Sequence, residues 1–93
     1  MKMTAPSLLE TDQELLHRLA ENPRQTPSML LEECTSTDSK QYIQNRLKHL
    51  REIDMVTRAD RGIYELTDRG ERAAGNIELY SENRKRFWDR VGV

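Results

Sequence analysis

Between Ser39 and Arg51 the chain carries Lys40, Gln41, Gln44, Asn45 and Lys48 without a single carboxylate. A side-chain amide holds a donor and an acceptor together, which matches the edge of adenine, and an ammonium donates to guanine. Ser36, Thr37 and Ser39 come just before, with hydroxyls suited to phosphate oxygens near a helix N-terminus. Arg46, Lys48 and Arg51 add cations for a phosphate backbone. Further along, Arg58 and Arg61 flank Asp60 beside Gly62, and an arginine at such a turn suits a narrow minor groove. The plain alternatives are a solvated helix face and, for Arg61, a surface pair with Asp60.

Other chemistries find little support. Cys34 is the only cysteine, so neither an internal disulfide nor a thiolate zinc site is expected. As a small residue at the end of a helix it reads as core rather than as a redox sensor. His17 reads as a packed or partly exposed side chain. His49 lies near a helix end, where a phosphate contact or a favourable dipole interaction is open to it. No glycine-rich phosphate loop and no carboxylate pair with tuned environments appear. The expectation is a non-enzyme with no cofactor and no metal.

The elements that must position these residues follow from periodicity and caps. Thr11-x-x-Glu14 has the form of a capping box, and Leu15, Leu16, Leu19 and Ala20 follow at helical spacing up to Asn22-Pro23. The first helix is therefore expected over about 12–21. Thr26-Pro27 opens a second, about 27–34, whose apolar face is Met29, Leu30, Leu31 and Cys34. One of Thr37, Asp38 or Ser39 caps a third, in which Ile43, Leu47 and Leu50 form the core stripe and Tyr42 and Arg46 flank it. That helix fades near Glu52–Asp54. Met55–Ala59 and Ile63–Leu66 then alternate with period two around Asp60-Arg61-Gly62, predicting a β-hairpin. Thr67-Asp68 caps a further helix through Ala73-Ala74, with Gly75-Asn76 as stop or kink, and a last helical segment runs from Ile77 to Val91.

Ninety-three residues allow one domain. Chains of this size rarely hold both a core and a buried catalytic cleft, which favours a binding module. No apolar run reaches the roughly 18 residues of a spanning helix, and the N-terminus lacks a signal-peptide core. A cytoplasmic protein with no membrane partner is expected. The net charge is −1, but its distribution is uneven. Residues 1–35 hold 3 basic and 6 acidic side chains, 36–62 hold 6 and 4, and 63–93 hold 6 of each. The acid-free stretch in the middle third outweighs the total as evidence about partners.

The order helix, short helix, turn, helix, hairpin, helix is that of a winged helix-turn-helix. Gln25-Thr26-Pro27-Ser28, Tyr42-Ile43-Gln44-Asn45-Arg46-Leu47 and Gly62-Ile63-Tyr64-Glu65-Leu66-Thr67-Asp68-Arg69-Gly70 resemble small haloarchaeal transcriptional regulators. That group includes the repressor of halophage phi-H and relatives of the MarR-type winged helix. The resemblance covers about residues 11–74, though the connection before the third helix is longer and Cys34 stands where a leucine is expected. It implies a mainly α fold with a small hairpin, in which the third helix enters the major groove of double-stranded DNA and the hairpin lies along the neighbouring backbone or minor groove. Ser39, Lys40, Gln41, Gln44, Asn45 and Lys48 are then the recognition-helix contacts, and Thr37, Arg46, Arg51, Arg58 and Arg61 the backbone and wing contacts.

The expected organisation is a flexible lead-in over 1–10, in which Lys2 reads as solvated rather than as a further DNA contact, a winged-helix domain over 11–74 and a C-terminal helix over 75–93. The expected function is a sequence-specific transcriptional regulator, a repressor acting by operator occupancy. A winged helix used only for protein–protein contact is the alternative, favoured by the acidic first and second helices. Ile77, Tyr80, Phe87, Trp88 and Val91 fall on one side of the last helix. Left exposed they form an apolar stripe that monomers avoid, which predicts a homodimer through that stripe. A C-terminal helix folded back on the first helix of its own chain is the other possibility.

Overall fold

The computed structural model describes residues 5–92. Helices α1 (Glu10–Glu21), α2 (Pro27–Glu33) and α3 (Lys40–Glu52) precede strands β1 (Val56–Asp60) and β2 (Ile63–Leu66). Helices α4 (Asp68–Gly75), α5 (Ile77–Glu82) and α6 (Arg84–Val91) follow. The chain is thus mainly helical with one two-stranded antiparallel hairpin. No helix of the described residues is long and apolar enough to cross a membrane. Lys2 lies outside the described residues.

Helix α3 forms as the periodicity predicts. Ser39 is its N-cap, the hydroxyl oxygen accepting the Tyr42 N–H at 3.1 Å. Ile43, Leu47 and Leu50 are completely buried, each worth roughly 1.5–3 kcal/mol of transfer free energy. The helix stops at Asp54, which takes a left-handed φ of 62° just past the C-cap. Helix α2 opens as expected, with Thr26 accepting the Met29 N–H at 3.2 Å and Pro27 in the first turn.

Helix α1 departs from its local signal. It begins at Glu10, ahead of Thr11, and Asp12 accepts the Leu9 N–H at 2.8 Å in the role expected of Glu14. Nor are residues 5–9, just before it, a free lead-in: Leu8 is 4% exposed and Ala5 packs against the core. Leu8 donates its N–H to the Tyr80 hydroxyl at 2.8 Å, 72 residues away in sequence.

In the hairpin, Val56 pairs with Leu66, Thr57 with Glu65, Arg58 with Tyr64 and Asp60 with Ile63, so Ala59 is the extra residue of a bulge. Arg61 and Gly62 make the turn, Gly62 at φ 69°, a conformation that favours glycine. The hairpin is anchored by a bridge the alternation pattern does not reveal. Gln25 and Tyr64 exchange backbone hydrogen bonds of 2.9 and 2.8 Å. The buried Gln25 amide also donates to the carbonyls of Arg18 and Asn22 at the end of α1. Behind the hairpin, Thr67 caps α4 through the Gly70 N–H at 3.0 Å. Gly70 is tight against Met55, and a Cβ there would overlap the Met55 carbonyl oxygen.

The C-terminal region corrects the expected interface. Its helix is broken at Asn83, whose side chain accepts the Arg86 N–H at 3.1 Å and starts α6 afresh. The break folds α6 onto α5 and α4. Tyr80, Phe87, Trp88 and Val91 are therefore 0–5% exposed within one chain, so they are not available as a dimer seam. The three rings meet edge-on, with centroids 5.1 Å apart for Tyr80–Phe87 and 4.9 Å for Phe87–Trp88. Arg69 closes this corner: it lies 5.7 Å over the Trp88 ring, donates to the Ile53 carbonyl at 3.1 Å and reaches the Gly92 carbonyl. Of the five residues expected at an interface, Ile77 alone remains half-buried at the surface.

Candidate nucleic-acid interface

The loop that leads into α3 is held by hydroxyls and by one carboxylate of α1. Glu14 accepts the Thr35 N–H at 3.0 Å, the Thr35 hydroxyl at 2.7 Å and the Ser36 N–H at 2.9 Å, and Cys34 Sγ lies 3.3 Å away. This clamp, rather than a helix cap, is what Glu14 does. Partial burial pushes its carboxyl up, but the donors of Ser36, Thr35 and Cys34 more than offset that and hold it down at about 2. Because the folded value lies below the unfolded one, the stabilisation is complete above about pH 4.5 and is lost as pH falls towards about 2. A urea-unfolding series across that window is expected to fall more steeply for the native chain than for Glu14→Gln; parallel curves would contradict the clamp.

Ser36 is turned inward, its hydroxyl 2.6 Å from that of Thr11. Thr37 accepts the Ser39 N–H at 3.1 Å. As acceptors from backbone amides, Thr37 and Ser39 each keep a hydroxyl hydrogen to donate to a phosphate.

Along the outer side of α3, Lys40, Gln41, Gln44, Asn45, Lys48 and Arg51 are all exposed. Gln41 donates its amide to Asn45 Oδ1 at 3.1 Å, one turn on, so these two are held as a pair. Lys48 and Arg51 line a cleft with Thr57 of β1 and Thr67, which brings the later half of α3 and the base of the hairpin to one surface. Glu52 and Asp54 also line that cleft and bound the cationic stretch. Arg58 and Arg61 are exposed on the hairpin. Asp60 accepts the Arg61 backbone N–H at 2.7 Å, and its carboxylate forms no ion pair with the Arg61 guanidinium.

Arg46 does not belong to this set. Its Nε and one terminal nitrogen each donate to Asp12 at 2.7 Å, a bidentate pair in which Asp12 is fully buried and the Arg46 side chain 19% exposed. Asp12's hydrogen bonds raise the guanidinium pKa above its ordinary value, against the opposing effect of burial. A guanidinium committed twice to an internal carboxylate is a strut between α1 and α3, not a backbone contact. His49 is likewise turned in, with Nε2 buried and without a partner among the described residues. No local signal marks the partner of Arg46, which lies 34 residues away.

What remains is an exposed polar surface on α3 and the hairpin with five cations, Lys40, Lys48, Arg51, Arg58 and Arg61, interrupted by Glu52, Asp54 and Asp60, and none of the five is in an ion pair among the described residues. Chemically it offers amide and ammonium donors at helical spacing, flanked by charge suited to phosphates. Comparison with family models, with curated proteins and with solved structures found no match to this chain.

Proposed function

We propose that this chain is a sequence-specific DNA-binding transcriptional regulator of the winged helix-turn-helix type. In this reading α3 is the recognition helix, β1 and β2 are the wing, and regulation is repression through operator occupancy. The observation that carries it is the outer face of α3. Lys40, Gln41, Gln44, Asn45 and Lys48 are exposed together without a carboxylate, while the helix's other flank is committed to the core and to Asp12. Amides and an ammonium in the first turns of a helix are the groups that read base edges in the major groove. Arg51 and the hairpin arginines supply phosphate contacts, which position the protein without carrying sequence information.

Selection of bound duplexes from a random pool, followed by anisotropy titrations of the selected operator, tests the assignment. Gln44→Ala or Asn45→Ala is expected to cost about 1–3 kcal/mol on the selected sequence and little on random DNA. Lys48→Ala is expected to weaken both alike. Equal losses from all three substitutions would refute the division of roles, and a pool that yields no bound DNA would return the chain to a protein-interaction module.

A further inference from the structure

Two amides on the outer face of α3 are joined to each other. Gln41 Nε2 donates to Asn45 Oδ1 at 3.1 Å, one turn on, and both side chains are exposed. Residues at this spacing are neighbours on a helix surface, and amide pairs there form even in isolated helices. The bond leaves the two side chains with unequal capacity. A carboxamide carries two N–H donors and an oxygen with two lone pairs. Gln41 spends one N–H and keeps the other, together with its whole oxygen. Asn45 keeps both N–H groups, but its oxygen is turned to Gln41. Adenine presents an acceptor and a donor side by side in the major groove, so a bidentate match needs the oxygen and one N–H of a single amide. Gln41 has that edge free, and Asn45 has its oxygen engaged. Gln41 is also in the first turn of α3, where recognition helices reach base edges.

On the reading of α3 as a recognition helix, on which this rests, we propose that Gln41 reads one adenine and that Asn45 is its positioning residue. A free glutamine loses side-chain freedom when it docks on a base. Asn45 holds the Gln41 amide in the free protein and so removes part of that loss beforehand. The bond between two exposed amides is weak in water and strengthens when DNA excludes solvent from the face. The contrasting arrangement is two independent readers. Placed one turn apart, about 6 Å along the helix, they would fall on different base pairs, which are spaced about 3.4 Å along the duplex. One operator position for both residues, or two, therefore separates the arrangements.

The test is base preference at single operator positions, measured with the full chain as native, Gln41→Ala, Asn45→Ala and the double variant. A duplex selected from a random pool is varied through the four base pairs at each position, and anisotropy titrations give the affinities. Gln41→Ala is expected to lower the preference for adenine at one position about tenfold. Asn45→Ala is expected to lower it at that same position by at least about threefold, and the double variant to lose no more than Gln41→Ala alone. Asn45→Asp keeps an acceptor for Gln41 while adding a negative charge. It is expected to weaken binding to every duplex alike and to retain the adenine preference, which a merely structural role for Asn45 would not predict of one substitution and deny of the other. Trp88 emission confirms that each variant is folded. Losses at two different positions, additive losses in the double variant, or a preference lost in Asn45→Asp as in Asn45→Ala would each overturn the pairing and leave the DNA-binding reading standing. A native chain that binds no duplex would overturn both.

Discussion

Replacing Arg46 by alanine is expected to lower the unfolding free energy by about 3–5 kcal/mol, because it leaves a buried carboxylate without its counter-charge. Asp12 is fully buried, and both its oxygens accept from Arg46 at 2.7 Å. Domains of this size are stable by only about 5–15 kcal/mol, so the loss is at least about a fifth of the total. The expected drop in melting temperature is at least about 12 °C. Arg46→Lys keeps the charge but not the fork and is expected to fall between the two. A loss under about 1 kcal/mol for Arg46→Ala would mean the pair behaves as a surface salt bridge. The same strut bears on function: Asp12 and Glu14, two residues apart on α1, hold the flank and the entry of α3, so α1 sets where the outer face of α3 points.

Phe87→Ala is expected to cost about 3–5 kcal/mol, the usual range for removing a fully buried phenyl ring. Phe87 has no exposed surface and sits edge-on between Tyr80 and Trp88. Trp88, the only tryptophan of the chain, is 5% exposed and reports the transition directly. Urea unfolding followed by its emission should give a midpoint well below the native one, with emission at zero denaturant still that of a buried indole. A variant as stable as the native chain would show that α6 is dispensable to the core and would contradict the fold-back of the C-terminal region.

The elements whose signals are local were legible in the sequence. Ser39 and Thr26 cap the helices they precede, Ile43, Leu47 and Leu50 form the stripe their spacing predicts, and Gly62 turns the hairpin. What escaped depends on residues distant in the chain. Thr11-x-x-Glu14 has the right letters for a capping box, but Thr35 and Ser36, 21 and 22 residues on, hold Glu14 with three hydrogen bonds. Periodicity places Arg46 on the flank of α3, where a cation suits a phosphate backbone, and says nothing of Asp12. In the C-terminal stripe the spacing was sound, yet spacing does not tell whether an apolar face meets its own chain or another. There Asn83 decides: its cap is a local signal, and the break it makes folds α6 back. The exposed residues of α3 were legible for the simplest reason, since polar side chains opposite a core stripe have nowhere to go but solvent.

The central claim is that the exposed cations of α3 and the hairpin neutralise phosphates. Anisotropy titrations of the native chain with labelled random-sequence duplex, repeated across a range of salt concentrations, test it most directly. Binding should weaken steeply with salt, with a log–log slope of up to about −4.5 when Lys40, Lys48, Arg51, Arg58 and Arg61 are all engaged, and shallower by about one for Lys48→Ala. No binding in low salt, or an affinity that salt leaves unchanged, would contradict it.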